Sequence, residues 1–459
     1  MRYLPHTPEE VATMLESVGL KSLDALFESI PAAVRQKEPL RLEPPLDEHS
    51  LMRHIGELSA RNRGASMLSF LGAGNYDHHF PPAADQLLCR GELYTAYTPY
   101  QPEVAQGTLQ IIFEFQTIVS EILGLPVANA SMYDASTATA EAVLMARRLT
   151  GRDRALLSGC VHPEYLDTVR TYTHELDTGT PGGCGGCLVD VPVDAGAATD
   201  LAALIAAIDE KTACVVVGYP GFFGSVVDLR PLAEAAHQKG ALLVTVTGEP
   251  YALAVLEPPG ELGADIAVAE GQPLGPPPQF GGPGVGLFAC KSDRKFLQQI
   301  PGRLCGETVD RNGKRGYVLT LATREQHIRR ERATSNICTN SGLMAAAVTI
   351  RMCLLGKQGF VDTAEHCLST AEYLKGRLGK LAGYKIVSKG PTFNEFTVAL
   401  RGGKAKAVVD SLAEHGVIAG LDLGRYFQAR SGELLVAVTE KHSKADVDRL
   451  VTELDRFQP

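Results

Sequence analysis

The central part of the chain alternates short apolar runs with amphipathic helical segments, and this alternation limits the possible folds more than any other feature. The apolar runs are predicted strands at 155–158, 188–193, 213–217, 242–246, 265–269 and 285–290. Helical segments lie between them, for example at 200–210, which Asp200 can cap, and at 229–239, which Gly240 closes. Short apolar strands that alternate with helices predict an α/β fold with a mostly parallel sheet covered on both faces.

The two ends of the chain follow other patterns. Residues 1–60 are predicted to form helices, with Thr7 and Pro8 at the first helix start, and we expect an arm that packs on something else. The C-terminal part alternates again, with predicted helices at 341–355, 360–378, 404–415 and 444–457 and strands at 397–400 and 434–438. We therefore expect an arm at 1–60, a large α/β domain at 61–340 and a small α/β domain at 341–459. An aspartate-aminotransferase-like layout is one of several that fit this pattern.

Composition and charge exclude several classes of function. The 459 residues carry a formal net charge of −9, whereas nucleic-acid binding usually requires basic patches. The N-terminus shows no signal peptide, and no run approaches the ~18 apolar residues of a membrane span. Ten cysteines in a chain of this length do not indicate a disulfide framework, and Cys184-Gly-Gly-Cys187 lacks a second pair at zinc-site spacing. We expect a cytoplasmic protein without a metal site, a nucleic-acid partner or a membrane anchor.

Two polar segments are candidates for binding. Small and hydroxyl residues at 133–140, including Ser136 and Thr137, precede a predicted helix at 141–149 and can present hydroxyl and N–H groups to a phosphate. An ordinary helix cap is the alternative. The stretch 319–339 is rich in charge and ends in short hydrogen-bonding residues, among them Thr334, Ser335 and Asn336. It is either a solvated helix with i,i+4 pairs or a phosphate or subunit contact.

Several long motifs resemble one known family closely, the P-proteins of the glycine cleavage system, and specifically their α-type half, subunit 1. These motifs are Gly72-Ala-Gly-Asn-Tyr-Asp-His-His79, Tyr97-Thr-Pro-Tyr-Gln-Pro-Glu103, Gln106-Gly107, Phe113-Glu-Phe-Gln116, Asn129-Ala-Ser-Met-Tyr-Asp134, Gly271-Gln-Pro-Leu274 and the stretch 323–339. The resemblance runs from Tyr3 to Glu440 and implies the pyridoxal-phosphate fold type I, which is aspartate-aminotransferase-like. The chain differs from the pattern of subunit 1 at Thr247-Gly248-Glu249-Pro250, where an aspartate-proline pair is usual.

The resemblance also implies that this chain has lost its own cofactor site. Gln272 stands where the family's active half has the lysine that holds pyridoxal phosphate as a Schiff base, and an amide cannot form an imine. Glu249 follows the strand that usually ends in the aspartate for the pyridine nitrogen, and His162 stands where many such enzymes place a ring over the cofactor. The expected degenerate site consists of Ser136, Thr137, His162, Glu249 and Gln272.

The implied activity belongs to a two-chain enzyme. A β-type partner, subunit 2, is expected to bind pyridoxal phosphate covalently in an α2β2 assembly, to decarboxylate glycine and to pass the aminomethyl group to the lipoyl arm of H-protein. This chain is expected to contribute to the partner's active site through Tyr97, Tyr100, Gln101, Thr334, Ser335 and Asn336. Two alternatives stay open: a self-sufficient pyridoxal enzyme that uses Lys291, and a regulatory paralogue without a catalytic role.

Overall fold

The computed structural model describes residues 5–457 except 37, 96, 178–184, 195 and 280. The chain divides into two compact units, one up to Ala65 and one from Ser66 onward. The expected boundary between a large and a small domain at 340/341 falls inside the second unit and stays a prediction.

The first unit is helical and has no core of its own. It contains helices α1 (Pro8–Ser17) and α2 (Glu48–Ala60) and a 3-10 turn at Leu23–Phe27. Thr7 caps α1 with its side chain, which confirms the predicted start of the first helix, and Asp47 caps α2 in the same way. Among the residues described between 5 and 65, none is buried.

The second unit combines two main sheets with helices. Its strands are β1 (Leu68–Ser69), β2 (Val127–Ala128), β3 (Arg154–Ser158), β4 (Leu188–Val191), β5 (Thr212–Gly218), β6 (Leu242–Thr247), β7 (Ile266–Glu270), β8 (Gly286–Cys290), β9 (Leu304–Val309), β10 (Arg315–Thr320), β11 (Tyr384–Ile386), β12 (Glu395–Leu400), β13 (Val417–Ile418), β14 (Leu421–Asp422) and β15 (Glu433–Ala437). Its helices are α3 (Pro82–Leu88), α4 (Gln106–Leu123), α5 (Ala135–Thr150), α6 (Pro163–Asp177), α7 (Leu201–Ala207), α8 (Arg230–Gln238), α9 (Arg294–Gln299), α10 (Gln326–Arg329), α11 (Gly342–Leu378), α12 (Ala405–Glu414) and α13 (Lys444–Phe457).

Within the described residues, the large sheet has seven strands in the order β2-β8-β7-β6-β5-β3-β4. Its neighbours from β4 to β7 are parallel, and β8 runs antiparallel to β7. Alternate residues of β5 belong to separate apolar clusters: Val215 and Val217 to one, Cys214 and Val216 to the other. Side chains on the two faces of this strand are therefore buried in different cores, as predicted for a sheet covered on both sides.

A second, four-stranded antiparallel sheet is formed within the described C-terminal part, in the order β11-β12-β15-β14. Side chains of α11, α12 and α13, such as Leu374, Leu412 and Leu450, bury its apolar cluster. Helix α11 contains a break at Gly356, with φ at +66°, so it corresponds to the two helices predicted at 341–355 and 360–378. By length and composition α11 is long enough to cross a membrane, but its apolar residues also supply these cores.

The structure corrects one helix boundary and excludes one of the two interpretations of the stretch 319–339. The polar stretch 319–339 is not a solvated helix: after β10 it forms three short turns of helix at Ala322–Arg324, Gln326–Arg329 and Arg330–Arg332. Leu321 and Arg330 both have φ at +53°, which interrupts helical geometry. The helix predicted at 141–149 begins earlier, at Ala135, because Asp134 caps it.

The cysteines follow the expectation of free thiols with one exception. Cys89, Cys160, Cys214, Cys290, Cys305, Cys338, Cys353 and Cys367 are free. Cys187 is disulfide-bonded. Cys184, the other member of the Cys-Gly-Gly-Cys motif, lies outside the described residues.

Candidate functional site

The carboxyl ends of the parallel strands bring distant segments of the chain to one edge of the large sheet. Such an edge is where ligands bind in open α/β sheets. A small, partly open cavity of about 30 Å³ lies here, with His162 and Glu249 in its wall. An adjoining cleft of about 330 Å³ is lined by Ser136, His162 and Gln272. The structure thus brings together four of the five residues of the expected degenerate site, and Thr137 lies beside them in the first turn of α5.

Gln272 is buried at the end of β7 and both ends of its amide are in use. Its Oε1 accepts a hydrogen bond from the backbone N–H of Tyr76 at 3.2 Å, and its Nε2 donates to the carbonyl of Pro276 at 3.2 Å. The Gln272 amide therefore joins the segment 72–79 to the turn that follows β7. This is a structural role that sequence reasoning did not foresee.

Glu249 takes part in a buried charge cluster with His78 and Glu440. The Nε2 of His78 lies 2.8 Å from Glu249 Oε2, and its Nδ1 lies 2.5 Å from Glu440 Oε2. Burial lowers the pKa of His78, but the adjacent carboxylates raise it further, to about 9. Burial likewise raises the pKa of Glu440, but His78 lowers it to about 2. The cluster is an imidazolium between two carboxylates.

Cys367 extends this cluster, since His78, Cys367 and Glu440 offer ligand atoms within 4.8 Å of one another. Both nitrogens of His78 are already bonded to carboxylates, however. In this arrangement the proton on His78 balances the adjacent acidic groups.

Tyr76 and Glu395 form a second buried polar pair against the cavity. The Tyr76 hydroxyl donates to Glu395 Oε2 at 2.8 Å, and the Ala73 N–H donates to Oε1 at 2.6 Å. Burial raises the pKa of Glu395 to about 7 despite these donors. A Cβ on Gly72 would lie 2.4 Å from Glu395 Oε1, so only glycine permits this close approach.

The N-terminus of α5 is occupied by carboxylates of the chain itself. Asp134 Oδ1 accepts from the Thr137 N–H and from the Ser136 hydroxyl, both at 2.7 Å. Glu270 accepts from the N–H groups of Ala135, Gln272 and Val285 at 2.9–3.1 Å. Burial raises the pKa of Glu270 to about 7. Asp134 is therefore the N-cap of α5, Thr137 completes a capping box with it, and the Ser136 hydroxyl donates to the same carboxylate.

His162 is held in one tautomer beside both cavities. Its Nε2 donates to the Ala73 carbonyl at 2.8 Å, while its Nδ1 accepts from the Glu164 N–H at 3.1 Å. The ring stacks on Tyr165 with 4.5 Å between centroids, and burial lowers its pKa. A neutral imidazole with both nitrogens bonded has no free group for chemistry.

Lys291 lies at the opposite edge of the sheet. It pairs with Asp265, the residue before β7 begins, whereas Gln272 follows the end of that strand. Five strand residues span about 17 Å at ~3.3 Å per residue. This separation removes the physical basis for a cofactor lysine at Lys291.

The residues expected to serve a partner lie on loops outside these cavities. The side chains of Tyr97 and Tyr100 are 76% and 44% exposed and meet edge to face at 5.8 Å. Gln101 is exposed, as is Asn336, while Thr334 and Ser335 are half-buried.

Several polar residues of these regions carry no local sequence signal. Tyr76 and His78 lie in a motif that marks the family, yet their partners Glu395 and Glu440 are more than 300 positions away. Arg303, which contacts Tyr100, was missed for the same reason.

Known proteins resemble this chain over its whole length. The family model described as "Glycine cleavage system P-protein" matches residues 1–454. A probable glycine dehydrogenase (decarboxylating) subunit 1 of Sorangium cellulosum is 67% identical, with all of both chains covered, and one of Anaeromyxobacter dehalogenans is 50% identical over 96% of this chain and 97% of the relative.

Solved structures agree. A glycine decarboxylase (P-protein) of the glycine cleavage system, crystallised in inhibitor-bound form, superposes with a TM-score of 0.87 at 42% identity, covering 99% of this chain and 100% of the other. A sphingosine-1-phosphate lyase of Burkholderia pseudomallei, 16% identical with a TM-score of 0.66 and 93% of each chain covered, shares the fold alone. The fold is the pyridoxal-phosphate fold type I, as the resemblance implied. By these matches the chain belongs to the glycine cleavage system P-protein family.

Proposed function

We propose that this chain is the half of a glycine decarboxylase that holds no cofactor covalently, and that it completes the active site of a β-type partner. The partner, subunit 2, binds pyridoxal phosphate through its lysine, most simply in an α2β2 assembly in the cytoplasm. The complex decarboxylates glycine and transfers the aminomethyl group to the lipoyl arm of H-protein, which is glycine dehydrogenase (aminomethyl-transferring) activity. Pyridoxal phosphate supplies the electron sink for this reaction.

The observation that carries the proposal is Gln272. In the position expected for the Schiff-base lysine stands an amide, whose two ends are used by Tyr76 and Pro276. An amide cannot form an imine, and this one is also not free to move.

The remaining residues of the edge do not fit pyridoxal phosphate either. The small cavity of about 30 Å³ has room for one or two waters, whereas ligand pockets usually measure 300–1,000 Å³. The larger cleft is lined by Asp134, Glu164 and Glu270, which would repel a phosphate from the start of α5. Glu249, expected near a pyridine nitrogen, is bonded to His78 instead. We therefore derive no catalytic step at this edge.

The contribution to catalysis is assigned instead to the outward-facing loops. Tyr97 and Tyr100 offer exposed phenols, and Gln101 and Asn336 offer exposed amides. Thr334 and Ser335 are half-buried, and the Ser335 hydroxyl also accepts from the Ile337 N–H at 3.0 Å. All of these groups can bind anionic oxygens of a substrate or cofactor in a neighbouring subunit. In enzymes with two-fold symmetry, loops of one subunit can close the cleft of the other.

The helical arm supports the need for a partner. Its large apolar side chains, such as Phe27, Leu42 and Met52, are 48–78% exposed in the isolated chain. Contiguous exposed apolar surface marks interaction sites, and we assign the arm to the clasp between subunits.

Cofactor trapping tests the first half of the proposal. Purified chain is mixed with pyridoxal phosphate, reduced with borohydride and digested for mass spectrometry. We expect no stoichiometric pyridoxyl-lysine. Such an adduct, for example on Lys291, would refute the assignment.

Assembly tests the second half. Analytical ultracentrifugation of the co-expressed α and β chains should show one heteromeric species. Separate α and β species at micromolar concentration would contradict it.

A further inference from the structure

A buried arginine lies directly beneath the outward-facing Tyr100. The side chain of Arg303 is 2% exposed, whereas the Tyr100 side chain above it is 44% exposed. The guanidinium carbon lies 4.7 Å from the centroid of the Tyr100 ring. A buried cation in contact with a surface phenol is a costly arrangement unless the cation is well paired.

The guanidinium binds a different chain segment on each of its edges. Its Nη2 donates to the Tyr100 hydroxyl at 2.8 Å, its Nε donates to the Cys338 carbonyl at 2.8 Å, and its Nη1 lies 2.9 Å from Glu325 Oε2. Arg303 thus links the loop 97–101 to the loop 334–339, the two loops that the proposed function assigns to the partner's site. Glu325 balances its charge.

The arginine itself is firmly placed. Its carbonyl accepts from the Ala130 N–H at 2.8 Å, and Arg324 donates to the carbonyls of Ile300 and Gly302 just before it. The Cys338 N–H donates to the Tyr133 hydroxyl at 3.1 Å, so the N–H and the carbonyl of Cys338 are both bonded to side chains. These hydrogen bonds place Arg303 relative to the two loops.

The direction of the hydrogen bond to Tyr100 has a chemical consequence. Arginine has only donors, so the phenol oxygen accepts here. The phenol proton is therefore not needed for this contact and can be donated outward. A positive charge behind the phenol also strengthens it as a donor.

We propose that Arg303 is a positioning residue of the shared active site, which rests on the proposed function. It sets the Tyr100 hydroxyl as a donor to an anionic oxygen in the partner's site and fixes it relative to the loop 334–339. That oxygen belongs either to the carboxylate of glycine or to the phosphate of the partner's cofactor.

The test is Arg303→Lys in the reconstituted α and β pair, measured by glycine–bicarbonate exchange. Lysine keeps the charge next to Glu325 but cannot serve three segments with a planar fork. We expect normal assembly and a fall in kcat/KM of at least about tenfold, matched by Tyr100→Phe. The double variant should be within about twofold of either single variant, because both changes remove one interaction.

Further measurements identify which anionic oxygen Tyr100 binds and whether Arg303 couples the two loops. An increase in KM for glycine in both single variants assigns the carboxylate, and weaker retention of pyridoxal phosphate by the partner assigns the phosphate. In the holo complex of Arg303→Lys, the rate of backbone hydrogen exchange should increase in residues 97–101 and in residues 336–340 together. The matched control is Arg154→Lys, which weakens an ion pair with Asp209 at the opposite edge of the sheet and should keep the wild-type rate.

The outcomes separate this inference from the proposed function. If Tyr100→Phe keeps the wild-type rate, the role of Tyr100 itself fails. If Tyr100→Phe is slow but Arg303→Lys is normal, or if their effects multiply, only the inference about Arg303 is overturned. Should Arg303→Lys not assemble, Arg303→Met/Glu325→Gln removes both charges, and a failure of that variant as well makes the arginine merely structural.

Discussion

Two buried charge clusters of this protein differ in how exposed the partners of the buried cation are. Around His78, the imidazolium is enclosed by Glu249 and Glu440, and its partners bond further groups inside the chain. Around Arg303, one partner is Tyr100, whose ring reaches the surface. We expect the first cluster to act on the stability of the fold. The second can act on a neighbour, because a partner of the buried charge remains accessible from outside.

The comparison explains how the polar groups at the carboxyl ends of the strands are paired within the chain. Its donors and acceptors are used by side chains of the same molecule, as with Gln272 and Tyr76 or Glu270 and the start of α5. Buried polar groups cost little when they are fully paired. Experiments that remove one partner should therefore cost stability at the first cluster and activity at the second.

The largest expected effect is on stability, in His78→Ala. The change leaves two buried carboxylates without their cation, which should lower the free energy of unfolding by about 3–5 kcal/mol. Urea unfolding measures it. His79→Ala is the matched control, because that side chain is exposed and the change should stay within about 0.5 kcal/mol. A loss below about 1 kcal/mol in His78→Ala would mean that the cluster is not charged.

The pH dependence of stability should follow the same cluster. The pKa of His78 is raised from 6.5 to about 9, so this histidine stabilises the fold fully below pH 6.5 and loses its contribution as pH rises through 9. The upper limit of that contribution to the free energy of unfolding is about 3 kcal/mol. The pKa values of Glu270 and Glu395 are raised to about 7, so these groups stabilise the fold fully below about pH 4.5 and lose this contribution as pH rises through 7. The pKa of Glu440 is lowered to about 2, so its contribution is lost as pH falls through 2. Urea midpoints should thus decline from pH 6 to 9.5.

The variant His78→Gln serves as the control for that profile. It should lack the decline between pH 7.5 and 9.5 that belongs to the imidazolium. An equal slope in both proteins would assign the alkaline loss to other groups.

At the surface cluster the expected effect is on rate. Tyr97→Phe, Tyr100→Phe and Ser335→Ala should assemble with the partner, but glycine–bicarbonate exchange should fall at least about tenfold, roughly 1.4 kcal/mol of transition-state stabilisation. Tyr384→Phe, a buried tyrosine bonded to the Leu454 carbonyl, is the control and should not change the rate. Wild-type rates in all three variants would make these loops a scaffold.

The smallest expected effect on the rate of glycine–bicarbonate exchange is that of Gln272→Lys. A restored amine alone should not capture pyridoxal phosphate, because Asp134 and Glu270 still occupy the start of α5. Borohydride reduction and mass spectrometry should find no adduct, and exchange by the assembled pair should stay within about twofold of wild type. A stoichiometric adduct at position 272 would show that the carboxylates do not exclude the cofactor.

Much of the fold was predictable because its signals are local. The periodicity of the apolar runs indicated β3 to β8, and the cap Thr7 indicated the start of the first helix of the arm. One of the two interpretations failed at 319–339, where the charged residues do not form a continuous solvated helix. Arg324 and Glu325 are in fact buried, which only their carbonyl and arginine partners from elsewhere explain.

The sequence by itself determined the alternation of strands and helices, the family and the amide at position 272, since each is read from neighbouring residues. Only the tertiary structure decided what that amide does, that Glu249 is neutralised by His78, and that Arg303 supports Tyr100. These contacts join residues that are 171 to 203 positions apart. No local sequence pattern predicts such pairs, because tertiary packing brings the two groups together and removes water from both.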